Sequence, residues 1–215
     1  MSYYPVFLAL KDKRVAVLGG GQVALRKVKA LLACGARVEV ASLRYCRELS
    51  GLARRHPRLK LKSMGAAKNI LRNALLVLIA SSDDQWNKKW VKECRRRRIW
   101  ANVADQPGLC DFILPAHFKK GRLQVAISTG GTSPLLARRF REELAQQIRP
   151  QAVRMLDRMK VLRQEAQQIL ARPSERKRFL ENKLGKGFHF FYGRNGNRSK
   201  NQRVSNTSGV RHHPL

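Results

Sequence analysis

Three consecutive glycines, Gly19, Gly20 and Gly21, followed by Gln22, Val23 and Ala24, carry the most direct chemical signal in this 215-residue chain. They interrupt a short apolar run at 14–18 and lead straight into a helical pattern, the arrangement of a dinucleotide-binding turn. In the pattern G-x-G-x-x-A, Gly19 makes the tight turn, Gly21 lets the backbone approach a pyrophosphate, and Ala24 is small enough for a helix to pack on a strand. The helix start offers unpaired N–H groups and the positive end of a dipole to an anion. A tight strand-to-helix turn without a ligand uses the same residues, so context has to decide. Ala24, Val28, Leu31 and Leu32 recur at helical spacing after the turn, Gly35 ends that helix, and a second apolar run follows at 37–41.

Acidic groups suited to proton transfer are few. Asp105 lies just beyond the end of an apolar run at 99–103, where an open α/β sheet presents groups to its ligand crevice, and a carboxylate there can take or return a proton. Position alone fits a turn-capping aspartate before Pro107 better. Asp111 reads as structural. Of the loop Ser82-Asp83-Asp84, one aspartate suits a helix cap, while Ser82 and Asp83 are candidate cofactor contacts. Thr129-Gly130-Gly131-Thr132-Ser133 has the makings of an anion nest, with free amides and hydroxyls at a helix start to receive a carboxylate or phosphate. A helix cap on a glycine turn explains it equally well. His117 is a candidate secondary proton carrier or metal contact, although a lone histidine is more often neither. The four cysteines form no C-x-x-C pair and have no histidine at metal-ligand spacing, so reduced thiols and no permanent metal site are expected.

The elements that must position these groups follow from periodicity. Strands are expected at 6–10 (a short edge strand), 14–18, 37–41, 60–62, 75–79 and 99–103, with helices after the glycine turn, around Leu49 and Leu52, and over 84–97. Alternating strands and helices with short links imply a Rossmann-type, doubly wound parallel sheet. Two further strands, 111–114 and 123–128, are expected around Lys120-Gly121. A helix capped by Ser133 follows, with Leu136, Phe140, Leu144 and Ile148 in one apolar stripe, then a helix from Pro150 to before Pro173, and a short one at 174–184. The resulting domains are 1–112 (dinucleotide binding), 113–148 (strands and first helix, a dimerisation segment), 149–184 (helical) and 185–215, a basic tail expected to be disordered.

A formal net charge of +31 accompanies this pattern. Residues 182–215 hold seven basic and no acidic side chains, and removing them from +31 leaves +24 on the rest, so basicity runs through the whole chain. Such a field favours a polyanionic ligand, nucleic acid or an acidic surface, and a general basic drift on solvated faces would produce it too. Arg95 to Arg98 beside Trp100 motivates an alternative reading as a nucleic-acid-binding protein on a Rossmann fold, but no RNA- or DNA-recognition signature accompanies it. No run approaches the about 20 apolar residues of a membrane span, and no secretory pattern opens the chain, so a cytoplasmic location is expected.

Blocks in fixed order extend the reading: Tyr4-Pro5-Val6-Phe7, Gly19 to Lys27, Gly35-Ala36-Arg37-Val38, Ala80 to Asp84 with Asn87, Asn102-Val103-Ala104-Asp105-Gln106-Pro107 with Cys110-Asp111-Phe112, and Ala126 to Pro134. Over about residues 3–145 the chain resembles the siroheme synthase N-terminal family of precorrin-2 dehydrogenases and, in some members, sirohydrochlorin ferrochelatases. The resemblance implies NAD as cofactor, contacted by Gln22 and Val23 at the glycine turn and by Leu43 and Arg44 after the second strand. It makes Asp105 the catalytic aspartate, and implies a homodimer, precorrin-2 and sirohydrochlorin as tetrapyrrole ligands and Fe2+ as a possible substrate. Ser42-Leu43-Arg44 supplies no acid for the ribose hydroxyls, so the choice of NAD over NADP comes from the resemblance alone. An inactive relative is a further alternative that residue types leave open.

Overall fold

The computed structural model describes residues 3–185. Five strands, β1 (Arg14–Leu18), β2 (Arg37–Ser42), β3 (Leu59–Ser63), β4 (Leu76–Ile79) and β5 (Trp100–Val103), form one parallel sheet in the order β3-β2-β1-β4-β5. The central strands are apolar because a parallel sheet covered on both faces leaves no solvent side, and all four residues of β4 are buried. Alternation sorts the two faces. Val15, Val17, Val38, Val40, Leu76 and Leu78 pack with α1 (Gln22–Ala33) and α2 (Arg47–Arg55), whereas Ala16, Leu18, Val77, Ile79, Ala101 and Val103 pack with α3 (Ala67–Ile70) and α4 (Asp84–Arg96). Strand order reverses between β1 and β4, which opens a crevice at the carboxyl ends of the strands.

The chain divides into two compact units. The first runs to Ala116 and includes Ile127–Arg138; the second holds His117–Ala126 and continues from Arg139. A hairpin of β6 (Ala116–Lys120) and β7 (Leu123–Ile127) precedes α5 (Pro134–Gln147), α6 (Pro150–Ile169) and α7 (Pro173–Leu184). In the second unit Lys120 donates to the carbonyls of Ala145 and Ile148 and Arg122 pairs with Asp157 at 2.8 Å, fixing the hairpin tip on the helices.

Two expectations need correction. Residues 6–10 form no strand, since no neighbouring strand offers them a ladder; Val6 and Phe7 stay exposed, and the segment ends in a turn where Asp12 N–H bonds the Gly35 carbonyl. Residues 111–114 are likewise not a strand. The Asp111 carboxylate accepts from Ala101 N–H at 2.9 Å and the Phe112 carbonyl accepts from Asn102, so this stretch is stapled to β5, and the hairpin strand begins later, at Ala116. The short helix α3 carried no periodic signal. The tail expected from 186 onward lies outside the described residues.

Candidate functional site

The glycine turn sits between the carboxyl end of β1 and α1, and its three glycines have different reasons to be glycine. Gly19 has φ +118°, and a Cβ there would lie 2.3 Å from the Ala80 carbonyl oxygen at the end of β4. A Cβ on Gly20 would lie 2.1 Å from the Arg44 carbonyl oxygen, while the Gly20 carbonyl accepts from Cys46 N–H at 2.8 Å. The pattern had treated Gly20 as a free position; tertiary packing makes it the most confined of the three. Gly21, the N-cap of α1, meets nothing within 4 Å. Side-chain capping is absent, no acid occupies the first turn, and the amides of Gln22, Val23 and Ala24 have no helical acceptor, so an exposed, electropositive helix start stands at the carboxyl end of β1. These residues fit the pyrophosphate of a dinucleotide.

Around this opening the other candidates are arranged unevenly. The Glu48 carboxyl at the start of α2 is drawn below the usual range, first by its own backbone amide and then by the Gln22 side chain. Leu43 is 87% exposed, and Arg44 is exposed beside it, on a loop held by Ser42 Oγ donating to the Arg44 carbonyl at 2.7 Å and by the Tyr45 hydroxyl bridging the Val40 and Lys62 carbonyls. Across the crevice, Asp83 caps α4 by accepting from Trp86 N–H at 3.0 Å, and fully buried Asn87 ties the same helix to the Ser81 carbonyl. Ser82 lies between them in the loop. Gln106 donates to Asp84, linking the loops that follow β4 and β5.

Asp105 stands at the carboxyl end of β5, exposed, with φ +60°, a left-handed conformation that few non-glycine residues adopt. Backbone strain of this kind persists where surrounding structure over-determines it. Ala104 N–H bonds the Ile79 carbonyl at 2.9 Å, and the Cys110 thiol is within hydrogen-bond distance of both Val103 backbone groups and the Gln106 carbonyl. Among the described residues the Asp105 carboxylate has no hydrogen-bond partner, which leaves it open to a ligand.

The Thr129–Ser133 loop departs from the nest expected. Gly130 N–H bonds Ser128 Oγ, Thr132 N–H bonds the Thr129 carbonyl, and Ser133 N–H bonds Thr129 Oγ1, so three of its amides are satisfied internally. Gly130 and Gly131 still have positive φ and open space where a side chain would be, and Ser133 Oγ caps α5 through Leu136 N–H at 3.2 Å. What this loop presents outward is therefore hydroxyl and glycine backbone rather than a row of unpaired amides. His117 lies on β6 in the second unit, exposed. Among the described residues, no group of three or more His, Cys, Asp or Glu side chains is gathered as for a metal ion. Arg95 to Arg98, the motive for a nucleic-acid reading, is largely engaged internally: Arg96 and Arg97 pair with Glu93 and Arg95 with Asp111.

A parallel sheet with a glycine turn at its switch point, an open helix N-terminus and an available carboxylate defines a nucleotide-binding protein of the Rossmann class. Comparison with known proteins narrows the class. A family model for NAD(P)-binding domains matches residues 6–116, and one for the central region of sirohaem biosynthesis proteins matches residues 120–147. Siroheme synthase of Thioalkalivibrio sulfidiphilus is 41% identical over 152 residues, 67% of this chain and 29% of that protein; the enzyme of Nitrosospira multiformis is 35% identical over 86% of this chain and 40% of its own length. The chain thus spans well under half of these relatives. The solved structure of SirC, a precorrin-2 dehydrogenase, superposes with a TM-score of 0.70 at 27% identity, covering 86% of this chain and 90% of that one. This chain belongs to the NAD(P)-binding family and, within it, to the siroheme synthase N-terminal family.

Proposed function

We propose that this chain is an NAD-dependent precorrin-2 dehydrogenase, oxidising precorrin-2 to sirohydrochlorin. The observation that carries the reading is Asp105: a carboxylate without a hydrogen-bond partner among the described residues, held in a strained turn at the carboxyl end of β5, in the same unit as the open N-terminus of α1. The likeness to SirC over nearly its whole length supports the substrate. Bound NAD+ supplies the hydride acceptor. The substrate loses two hydrogens, one leaving with its electron pair as hydride and the other as a proton, and a carboxylate at Asp105 takes that proton as the macrocycle gains its double bond. Gly19, Gly20 and Gly21 with the amides of Gln22 and Val23 bind the pyrophosphate, while Leu43, Arg44, Ser82 and Asp83 border the cofactor and Thr129–Ser133 serve the substrate, His117 being a separate substrate candidate in the second unit.

Insertion of Fe2+ into sirohydrochlorin is a second step open to the same carboxylate, with iron as substrate and Asp105 guiding it or receiving pyrrole protons. A homodimer belongs to this reading as well, supported by Leu136 and Phe140, exposed by 45% and 44% on one stripe of α5; light scattering that returns a monomer mass ends that part. The four unpaired cysteines suit a reducing, cytoplasmic setting, and no helix among the described residues is long and apolar enough to cross a membrane.

The deciding assay gives the protein precorrin-2 with NAD+ and follows reduced nicotinamide. Turnover by the parent and a loss of about a hundredfold or more in Asp105→Asn are expected, as for removal of a general base. Absence of turnover by the parent overturns the dehydrogenase, and an Asp105→Asn variant as fast as the parent overturns the role of Asp105.

A further inference from the structure

Lys27 occupies a position where a hydrophobic residue would be expected. On α1, Ala24, Lys27 and Leu31 share one stripe by their three- and four-residue spacing, and both neighbours are buried against the sheet. A lysine on such a stripe needs a partner for its charge. It reaches over the switch point, from the helix that follows β1 to the strand beyond β4, and donates to Asn102 Oδ1 at 3.0 Å. Asn102 is 6% exposed and points to the α1 face, opposite its neighbours Ala101 and Val103. Its amide donates onward to the Phe112 carbonyl at 2.9 Å and reaches Cys110 Sγ at 3.5 Å. The Cys110 thiol in turn accepts from Val103 N–H at 3.1 Å and lies 3.3 Å from the Val103 and Gln106 carbonyls, bracketing Ala104 and Asp105 on both sides.

We propose that Lys27 is a positioning residue for the oxidation: by fixing the Asn102 carboxamide, its ammonium holds the Val103–Cys110 frame in which Asp105 keeps its left-handed turn. An asparagine side chain has two orientations of nearly equal shape, and a charged donor on Oδ1 selects the one that sends N–H to Phe112 and Cys110. Without that donor the Asn102 carboxamide loses its charged partner, and the strained Asp105 turn can relax. Electrostatics agree with the geometry. Burial draws the Lys27 ammonium below the ordinary lysine range, Arg26 pushes the same way, and Cys110 and Asp105 oppose both, so Asp105 lies within electrostatic reach of the ammonium.

The catalytic consequence rests on the dehydrogenase reading; the framing role does not, and Cys110 reports it separately. Burial raises the Cys110 thiol, and Lys27 is one of the groups lowering it, so loss of the Lys27 charge alone makes this thiol less reactive. Faster alkylation of Cys110 in Lys27→Met can then come only from a loosened frame. In the full chain, with iodoacetamide labelling resolved by mass spectrometry, Lys27→Met is expected to raise the Cys110 rate about threefold or more, because the gain in exposure outweighs the smaller thiolate fraction, and Lys27→Arg, which keeps the charged donor, to stay near the parent. With precorrin-2 and NAD+, Lys27→Met is expected to lose about tenfold in kcat with KM for NAD+ nearly unchanged, and Lys27→Arg to recover most of it. Should circular dichroism find Lys27→Met unfolded, Lys27→Ala, which likewise has neither charge nor donor, carries both readouts. Unchanged or slower Cys110 labelling in a folded neutral variant overturns the frame, and a parental kcat there overturns its catalytic consequence. A parent that turns over no precorrin-2 overturns the dehydrogenase reading, while the labelling still decides the role of Lys27.

Discussion

Gly20 and Gly21 are adjacent, yet the structure asks different things of them. A methyl on Gly20 would meet a backbone carbonyl at 2.1 Å, a contact no side-chain adjustment relieves, and the loop after β2 would have to move. Gly21 has ordinary negative φ at the N-cap and open space around it, so a methyl there strains nothing in the protein. Gly20→Ala is therefore expected to lower stability by about 1–3 kcal/mol, as overpacking does. Gly21→Ala is expected to cost about 0.5–1 kcal/mol as a cap change and to weaken NAD+ binding by about tenfold, because its methyl projects where the pyrophosphate must approach. Thermal melts and NAD+ titrations of both variants check this; a Gly21→Ala protein that binds NAD+ like the parent would place the cofactor elsewhere. The sequence pattern found Gly19, Gly21 and Ala24 because their roles are local. It was silent on Gly20 because the colliding carbonyl belongs to Arg44, 24 positions away, and on Lys27 because a single lysine within an amphipathic helix looks like any solvated one until β5 is brought beside it.

At the scale of elements, strands of the parallel sheet could be read directly, since continuous apolar runs bounded by glycine and helical spacing are local signals. Residues 6–10 and 111–114 misled for a shared reason: apolar content measures burial propensity, and strand formation needs a partner whose presence only the topology decides. The basic run ending α4 shows the same limit. In sequence it resembles a polyanion contact, but Arg96 and Arg97 converge on Glu93 at 2.9 and 2.6 Å and hold its carboxyl down to about 2. A depressed carboxylate contributes stability above its unfolded pKa and loses it as pH falls toward the folded one. The end of α4 should thus weaken between about pH 4.5 and 2, and Glu93→Gln should flatten the fall in melting temperature across that window while lying closer to the parent at its acid end. Parallel melting curves for parent and variant over that range would remove Glu93 from the acid response.

Taken over the whole molecule, pairing cannot neutralise the charge. The 14 acidic residues are outnumbered by 45 basic ones, and several acids already serve internal pairs, Asp12 with Arg37 and Arg58, Glu93 with Arg96 and Arg97, and Asp157 with Arg122. What remains is a field of one sign, and such fields raise the encounter rate of oppositely charged ligands by about 10- to 1,000-fold at low salt. A tetrapyrrole bearing many carboxylates is the kind of ligand that gains from it, and the gain lies in approach rather than in the chemical step. Raising salt shortens the Debye length from about 10 Å at 0.1 M to about 3 Å at 1 M, so only long-range attraction is removed. The expected outcome is a fall of about tenfold or more in kcat/KM for precorrin-2 between low and high salt, with kcat and the KM for NAD+ little changed. A kcat that falls in step with kcat/KM would instead locate the salt-sensitive interactions at the reacting groups. A kcat/KM indifferent to salt would mean that the excess charge faces away from the crevice and answers to a different polyanion.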